Sequence, residues 1–451
     1  MKALVTALVC IAISLSVFLL PMQMSPAAYK ALAITIWMVL FWIFSPIDHA
    51  ITGFAGCFLY WATGAVNFET AFSGFSQDTP WFLLGAIILG TMVAQTGLAR
   101  RMAYSVMSVV GVSYAQILFG VIVVDFLMTL IVPSGISRVV ILASICLGIV
   151  EAFGVAPKSN IARGLFIIFT YTATIFDKML IAGAASIVAR GLIERDGGVP
   201  VYYSQWFFAY LPCDLITVAA CWAVVLWLYP PEKKELAEGR AYIDAQLAKL
   251  GPFTGAEKRA CVLMLATLAL WLTDFLHHIP ASMIGIGAGL VACLPGIGVL
   301  ESEDLKRVDP LPIILVAAVL SMAVVLVQTK AIDVINAAFF SRVNYSAFGL
   351  YWAGFLYHFF LPEPSNISTS MPLLMDYAKS NNLSPLTIGM IWTFAAGGKI
   401  FMYQSPVLVV GYSYGQFEAK DLLKVGAILT VVESLILVLL VPTLWPLIGI
   451  R

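Results

Sequence analysis

The chain has 451 residues, of which 61% are hydrophobic and 11% charged, with a mean hydropathy of +0.95. A soluble domain carries about a quarter charged residues, so this composition excludes a soluble globular protein and indicates a polytopic membrane protein. Formal net charge is zero, the seven cysteines form no CxxC pair and the four histidines no HExxH. Nucleic-acid binding, a disulfide framework and a metal cluster are therefore without support, and no P-loop is present for an ATP motor.

In chain order, Lys2 precedes an apolar run over 3–21. That run is long for the h-region of a signal peptide, and no small-x-small site stands clearly after Pro21. It reads as a first span, with a signal peptide as the alternative. Further runs long enough to cross a bilayer, or nearly so, are 28–45, 50–66, 80–97, 160–193, 205–229, 259–275, 281–299, 311–329, 385–413 and 421–448. The expected fold is all-α, with about eleven transmembrane helices.

Two more apolar regions, 114–154 and 346–379, are interrupted at the centre. The interruptions are Pro133-Ser134-Gly135-Ile136-Ser137 and Pro364-Ser365-Asn366-Ile367-Ser368, one pattern repeated 231 positions apart. Irregular backbone at membrane depth is tolerated only where protein buries it or a cavity receives it. Both regions therefore read as re-entrant helical hairpins, and such breaks in corresponding halves point to a carrier's binding site. A pair of proline kinks without ligand is the alternative reading.

With the N-terminus cytoplasmic and each hairpin returning to its own side, fifteen Lys and Arg fall inside, seven outside and three at membrane depth, of 25 in all. That asymmetry favours this orientation and places the C-terminus outside. The hairpins then open from opposite sides, which predicts two inverted repeats. The first half is 1–229 and the second 259–451, joined by a polar cytoplasmic linker over 230–258. Leu236 to Leu250 in that linker has helix-forming composition. Weaker echoes agree in order, with Gln95-Thr96 matching Gln328-Thr329 and Thr172 preceding Lys178 as Thr393 precedes Lys399.

An anion inside a bilayer must be met by cations, by dipoles or by both. Helices starting at Ile136-Ser137 and at Ile367-Ser368-Thr369 would present N-terminal amides at the two tips. Ser134, Gly135, Ile136, Ser137, Ser365, Asn366, Ile367, Ser368 and Thr369 are the candidate substrate contacts there. Hard cations such as Na⁺ take oxygen ligands, and exposed carbonyls with Ser or Asn oxygens at the tips could supply them. Capping of the second arm by Ser or Asn would coexist with either role.

Two further breaks follow the hairpins, around Thr172 to Gly183 and around Thr393 to Gln404-Ser405-Pro406. Both carry an ammonium, Lys178 and Lys399, and an intramembrane lysine is a functional hypothesis by default. Asp177 could pair with Lys178, although adjacent residues on a regular helix do not face each other. Lys399 has no acidic neighbour in sequence, so it is the better candidate for an anion contact or for replacing a cation. Snorkelling to the interface, or pairing with a residue elsewhere in the chain, is the bland reading of both lysines. Arg138 divides evenly between substrate contact and a structural pair.

These residues resemble the divalent anion–sodium symporter family, the di- and tricarboxylate and sulfate carriers within the ion transporter superfamily. The resemblance spans most of the chain. It rests on Gly74-Phe75-Ser76 with Trp81-Phe82, Thr96-Gly97-Leu98-Ala99-Arg100-Arg101, Gln205-Trp206 through Pro212, and Tyr229-Pro230-Pro231-Glu232. Gly411-Tyr412 with Asp421-Leu422-Leu423-Lys424 resembles the family's last break and final helix. The family pattern at the tips is Ser-Asn-Thr; here the first is Ser134-Gly135-Ile136 and the second Ser365-Asn366-Ile367. The resemblance implies that the tips bind substrate and, with Thr172, Gly183, Gly397 and Gly398, help hold coupling cations. It also implies a homodimer and an elevator-like movement of a transport domain. Loss of one Asn and both Thr sets cation stoichiometry, and sodium dependence itself, in question.

The function expected is secondary active transport of a small divalent anion, dicarboxylate, tricarboxylate or sulfate, with Na⁺ as coupling ion. The partners are the anion, the bilayer of the plasma membrane and a second copy of the chain; no other cofactor, no nucleic acid and no enzymatic activity are expected. A sodium-independent exchanger or an anion channel is the alternative, and an intramembrane enzyme has no catalytic dyad in its favour.

Overall fold

The computed structural model describes residues 2–19, 24–44, 46–132, 134–181, 183–233, 237–306, 308–331, 333–334, 343–358, 363–397 and 399–450. Among them every regular element is helical and no strand occurs. The chain opens with α1 (Lys2–Leu15), α2 (Pro26–Phe44), α3 (His49–Ala62), the single turn α4 (Phe68–Ala71), α5 (Asp78–Thr96) and α6 (Leu98–Val109). Gly97, in the left-handed conformation at φ +78°, turns α5 into α6.

The first interrupted region folds as α7 (Tyr114–Ile131) and α8 (Gly135–Ala152). Ser113 and Gln116 form a capping box at the start of α7, and Ser134 caps α8 by accepting from the Ser137 amide. Next come α9 (Asn160–Met179), a break, the short α10 (Ala184–Leu192) and the long α11 (Tyr203–Leu228). The linker carries α12 (Ala237–Lys249), within a residue of its expected ends.

The second half begins with α13 (Gly255–Leu272), α14 (Asp274–His277), α15 (Ala281–Ala292), α16 (Ser302–Leu305) and α17 (Leu311–Gln328). Then α18 (Ala347–His358), α19 (Glu363–Ser380), α20 (Pro385–Ala396), α21 (Pro406–Ser413) and α22 (Ala419–Thr443) follow. The order of α7 to α11 thus recurs as α18 to α22: two arms, a helix, a break, a short helix and a long helix.

Three expected runs change shape. The spans 160–193 and 385–413 are each two helices around a break. The run 281–299 is helical only to Ala292, because Pro295 and two glycines follow, Gly296 with φ +81°. The second tip also differs from expectation: α19 starts at Glu363 and not at Ile367. Among the described residues six helices are long and apolar enough to cross a membrane: α5, α7, α8, α11, α17 and α22.

Two groups of helices result. In one, α5 packs on α15 and α3 on α17. Small residues let α5 and α15 close up: the Gly285 carbonyl lies 2.5 Å from where a Cβ on Gly85 would stand. In the other, the halves interlock. The second arm of each hairpin packs against the short helix beyond the other half's break, α8 on α21 and α19 on α10.

Candidate functional site

That interlock brings four helix starts to one place. A cavity of about 180 Å³ is lined by Ser134, Gly135 and Ile136 at the head of α8 and by Glu363 at the head of α19. Gly183, Ala185 and Ser186 come from the head of α10, and Ser405, Pro406 and Val407 from the head of α21. Asp177 lines it from the last turn of α9, while α5 and α17 close one side with Leu83, Ala86, Ile87 and Pro312. Each helix start leaves amides without intrahelical acceptors and carries a partial positive charge of about half a unit. Four of them at one cavity make a site for negative charge.

Fixed ions stand at both tips. Arg138 is fully buried. Its Nε donates to Asp125 Oδ1 at 2.9 Å, one terminal nitrogen to Val132 O at 3.1 Å, and the other to Asp177 Oδ1 at 2.9 Å and Ala173 O at 2.8 Å. Thr172 donates to the second Asp125 oxygen at 2.6 Å. At the other tip Lys399 Nζ meets Glu363 Oε2 at 2.6 Å. The two junctions have the same construction with opposite polarity: the cation lies on the tip in the first half and on the break in the second. Such pairs persist because an isolated buried charge costs several kcal/mol.

Both lysines pair across the fold, the alternative that the sequence left open. Glu363 reaches Lys399 from another helix. Asp177 does not serve Lys178; it serves Arg138, and Lys178 Nζ instead meets Glu433 Oε1 at 2.7 Å. Adjacent residues on α9 point apart, so each finds its partner across the fold.

Of the expected contacts, Ser134, Gly135, Ile136 and Gly183 line the cavity. Ser137 lies one turn in, its hydroxyl 3.2 Å from Ser134 Oγ. Ile367, Ser368 and Thr369 are buried in the packing of α19 and do not line the cavity. Thr369 Oγ1 donates to Asn366 O at 3.2 Å and receives Tyr357 OH at 3.1 Å. Asn366 is fully buried one turn from Glu363, and its Nδ2 has no acceptor among the described residues. Gln404, beside cavity-lining Ser405, accepts the Ile400 and Phe401 amides at 2.7 Å with Oε1, and its buried Nε2 also lacks an acceptor among those residues. Neither residue lines the cavity; both stand behind its second junction, each with a buried donor left over. Gly398 and the Ser365 side chain lie outside the described residues.

The expected cation ligands are largely engaged. Thr172 gives its hydroxyl to Asp125, the Arg138 guanidinium takes carbonyls at the first tip, and Lys178 Nζ stands 2.7 Å from where a Cβ on Gly397 would lie. Sequence reasoning passed over Asp125, Glu363, Glu433 and Asp214, all of them buried. Each is a carboxylate inside or beside an apolar run, a signal as strong as the lysines that were noticed.

Two interlocked helical hairpins and two broken helices thus enclose one small cavity, with hydroxyl and carboxylate groups set in a largely apolar wall. Residues 1–450 match the family model described as the sodium:sulfate symporter transmembrane region, and the chain belongs to that family. It is similar to a "Membrane protein" of Cupriavidus necator, 28% identical over 58% of this chain and 52% of that protein, so the match spans about half of that relative's length. A citrate/succinate antiporter of Escherichia coli is 23% identical over 84% of this chain and 80% of its own length. Dicarboxylate transporter 2, chloroplastic, of Spinacia oleracea is 24% identical over 95% of this chain and 79% of its own.

Proposed function

We propose that this chain is a secondary carrier that exchanges small di- and tricarboxylates across the membrane without a sodium requirement. The observation that carries the reading is the cavity at four helix starts with Arg138 and Lys399 fixed at its two tips. A dianion entering there gains four dipoles, and its carboxylates compete with Asp177 and Glu363 for the two cations. Fixed cations do the neutralising that mobile sodium would otherwise do. An empty cavity keeps its four partial positive charges uncompensated, which disfavours its passage across the apolar barrier formed by α5 and α17. Return with a second anion is easier, and that is exchange. The names of the Escherichia coli and Spinacia oleracea relatives support carboxylates over sulfate.

The movement is elevator-like. The interlocked hairpins and breaks travel against α3, α5, α15 and α17, and two copies of the chain associate through these last four helices. The N-terminus is cytoplasmic and the C-terminus outside, in the plasma membrane. Sodium symport is the second reading, favoured by the family description. Counterflow of labelled succinate in proteoliposomes, with sodium replaced by choline, separates the two: exchange persists in choline under the first reading and stops under the second.

A further inference from the structure

Behind the second tip lies another buried charge cluster, with one cation against two carboxylates. Lys178 Nζ meets Glu433 Oε1 at 2.7 Å, and Tyr351 OH donates to Glu433 Oε2 at 2.9 Å. The Lys178 ammonium also lies 4.0 Å from the centre of the Phe394 ring. Asp214, in the middle of α11, is fully buried, and neither of its oxygens has a hydrogen-bond partner among the described residues. The charged groups facing it are Lys178 from α9, Glu433 from α22 and Lys399 from the second break; Tyr210 and Cys213 on its own helix are the other titratable neighbours. Lys178 is already committed to Glu433. A bare carboxylate without donors in an apolar interior is far costlier than the neutral acid, so such a group takes up a proton.

A second observation links the cluster to the cavity. A void of about 10 Å³ is lined by Lys399 and Glu433 together with Tyr171, Thr174 and Thr430. That is about one probe sphere, the space that one water needs, and five polar side chains share its wall with Ile175, Gly397 and Leu429. Glu363 borders the cavity, Lys399 joins Glu363 to the void, and Glu433 joins the void to Lys178. The void thus lies between the Lys399–Glu363 pair at the cavity and the Lys178–Glu433 pair of the cluster.

We propose that Asp214 and Glu433, around Lys178, form a proton-binding site that holds one proton and carries it across the membrane with the dicarboxylate. The proposal rests on the reading of the cavity as a carboxylate site. An anion that draws Lys399 toward itself removes positive charge from the face of the cluster, and this raises the cluster's hold on its proton. By linkage, the proton strengthens anion binding by the same factor.

The test uses the purified full chain in vesicles loaded with unlabelled succinate and clamped in membrane potential. An acid-outside gradient raises accumulation of labelled succinate several-fold in the wild type. Asp214→Asn, the neutral shape of the protonated acid, keeps counterflow but loses that response. Protonation of succinate itself is common to both proteins and cancels in the comparison. In parallel, infrared spectra at neutral pH show the carbonyl stretch of a protonated carboxylic acid in the wild type and not in the variant. Should Asp214→Asn fail to fold, Lys178→Met/Glu433→Gln, which removes both charges of the pair, is expected to lose the same response. An unchanged gradient response in the variant, or an ionised Asp214 in the spectra, overturns the proposal. Absence of any dicarboxylate counterflow overturns the carrier reading, and the infrared band then still decides the proton site.

Discussion

Lys399 and Glu363 lie 36 positions apart in the chain, so their pairing was not legible in a search for acidic neighbours within one segment. The cost of an unpaired charge says only that a partner exists; which helix supplies it is a property of the fold. The pairing changes what a substitution does. Lys399→Met leaves Glu363, about one-tenth exposed, without a cation. Breaking a buried pair from one side costs about 3–5 kcal/mol, and denaturant unfolding in detergent is expected to show a loss of that order. Lys399→Met/Glu363→Gln should recover most of the stability and still bind succinate about tenfold more weakly, a difference of 1.4 kcal/mol, by calorimetric titration. Recovery of wild-type affinity in the double variant would make the pair structural. Asn366 was legible as a tip residue, and its orphaned Nδ2 gives the reason it matters. Asn366→Ala is expected to abolish exchange while changing stability by less than about 1 kcal/mol, since the lost donor has no acceptor in the described fold. Wild-type exchange rates would remove Asn366 from the site.

At the scale of elements, both hairpins, both breaks and the linker helix followed from apolar runs and their interruptions. The start of the second arm did not, because Pro364 was read as a break. Proline is equally at home in the first turn of a helix, where its missing amide has no partner to lose, and Glu363 beside it suits the positive end of the dipole. Those two residues begin α19 earlier than Ile367. At the first tip the backbone comes too close to its neighbour for a side chain: a Cβ on Gly135 would press into the Asp177 carboxylate. Gly135→Ala is therefore expected to push Asp177 off Arg138. Overpacking of this kind costs about 1–3 kcal/mol, and exchange should fall about tenfold, the counterpart of 1.4 kcal/mol. Both are measured on one preparation, by denaturant midpoint and by counterflow. Unaltered exchange would show that Asp177 has room to move.

For the whole molecule, hydropathy marks the apolar segments, and the repeated tip pattern points to two halves. Neither describes how the halves meet. The contacts of α8 with α21 and of α19 with α10 join segments some 270 and 180 residues apart, and no periodicity in one segment encodes a partner so distant. The four convergent helix starts, the fixed cations and the water-sized void behind Lys399 all follow from those two contacts. Under the proposed function, fixed positive charge stands in for mobile sodium in an exchanger of carboxylates. The decisive measurement is counterflow of labelled succinate in vesicles of the purified protein, with sodium fully replaced by choline. The same initial rate is expected in choline as in sodium, and no uptake into vesicles that lack an internal dicarboxylate. Uptake that stops in choline, or that proceeds into empty vesicles down a sodium gradient, would contradict the proposed function.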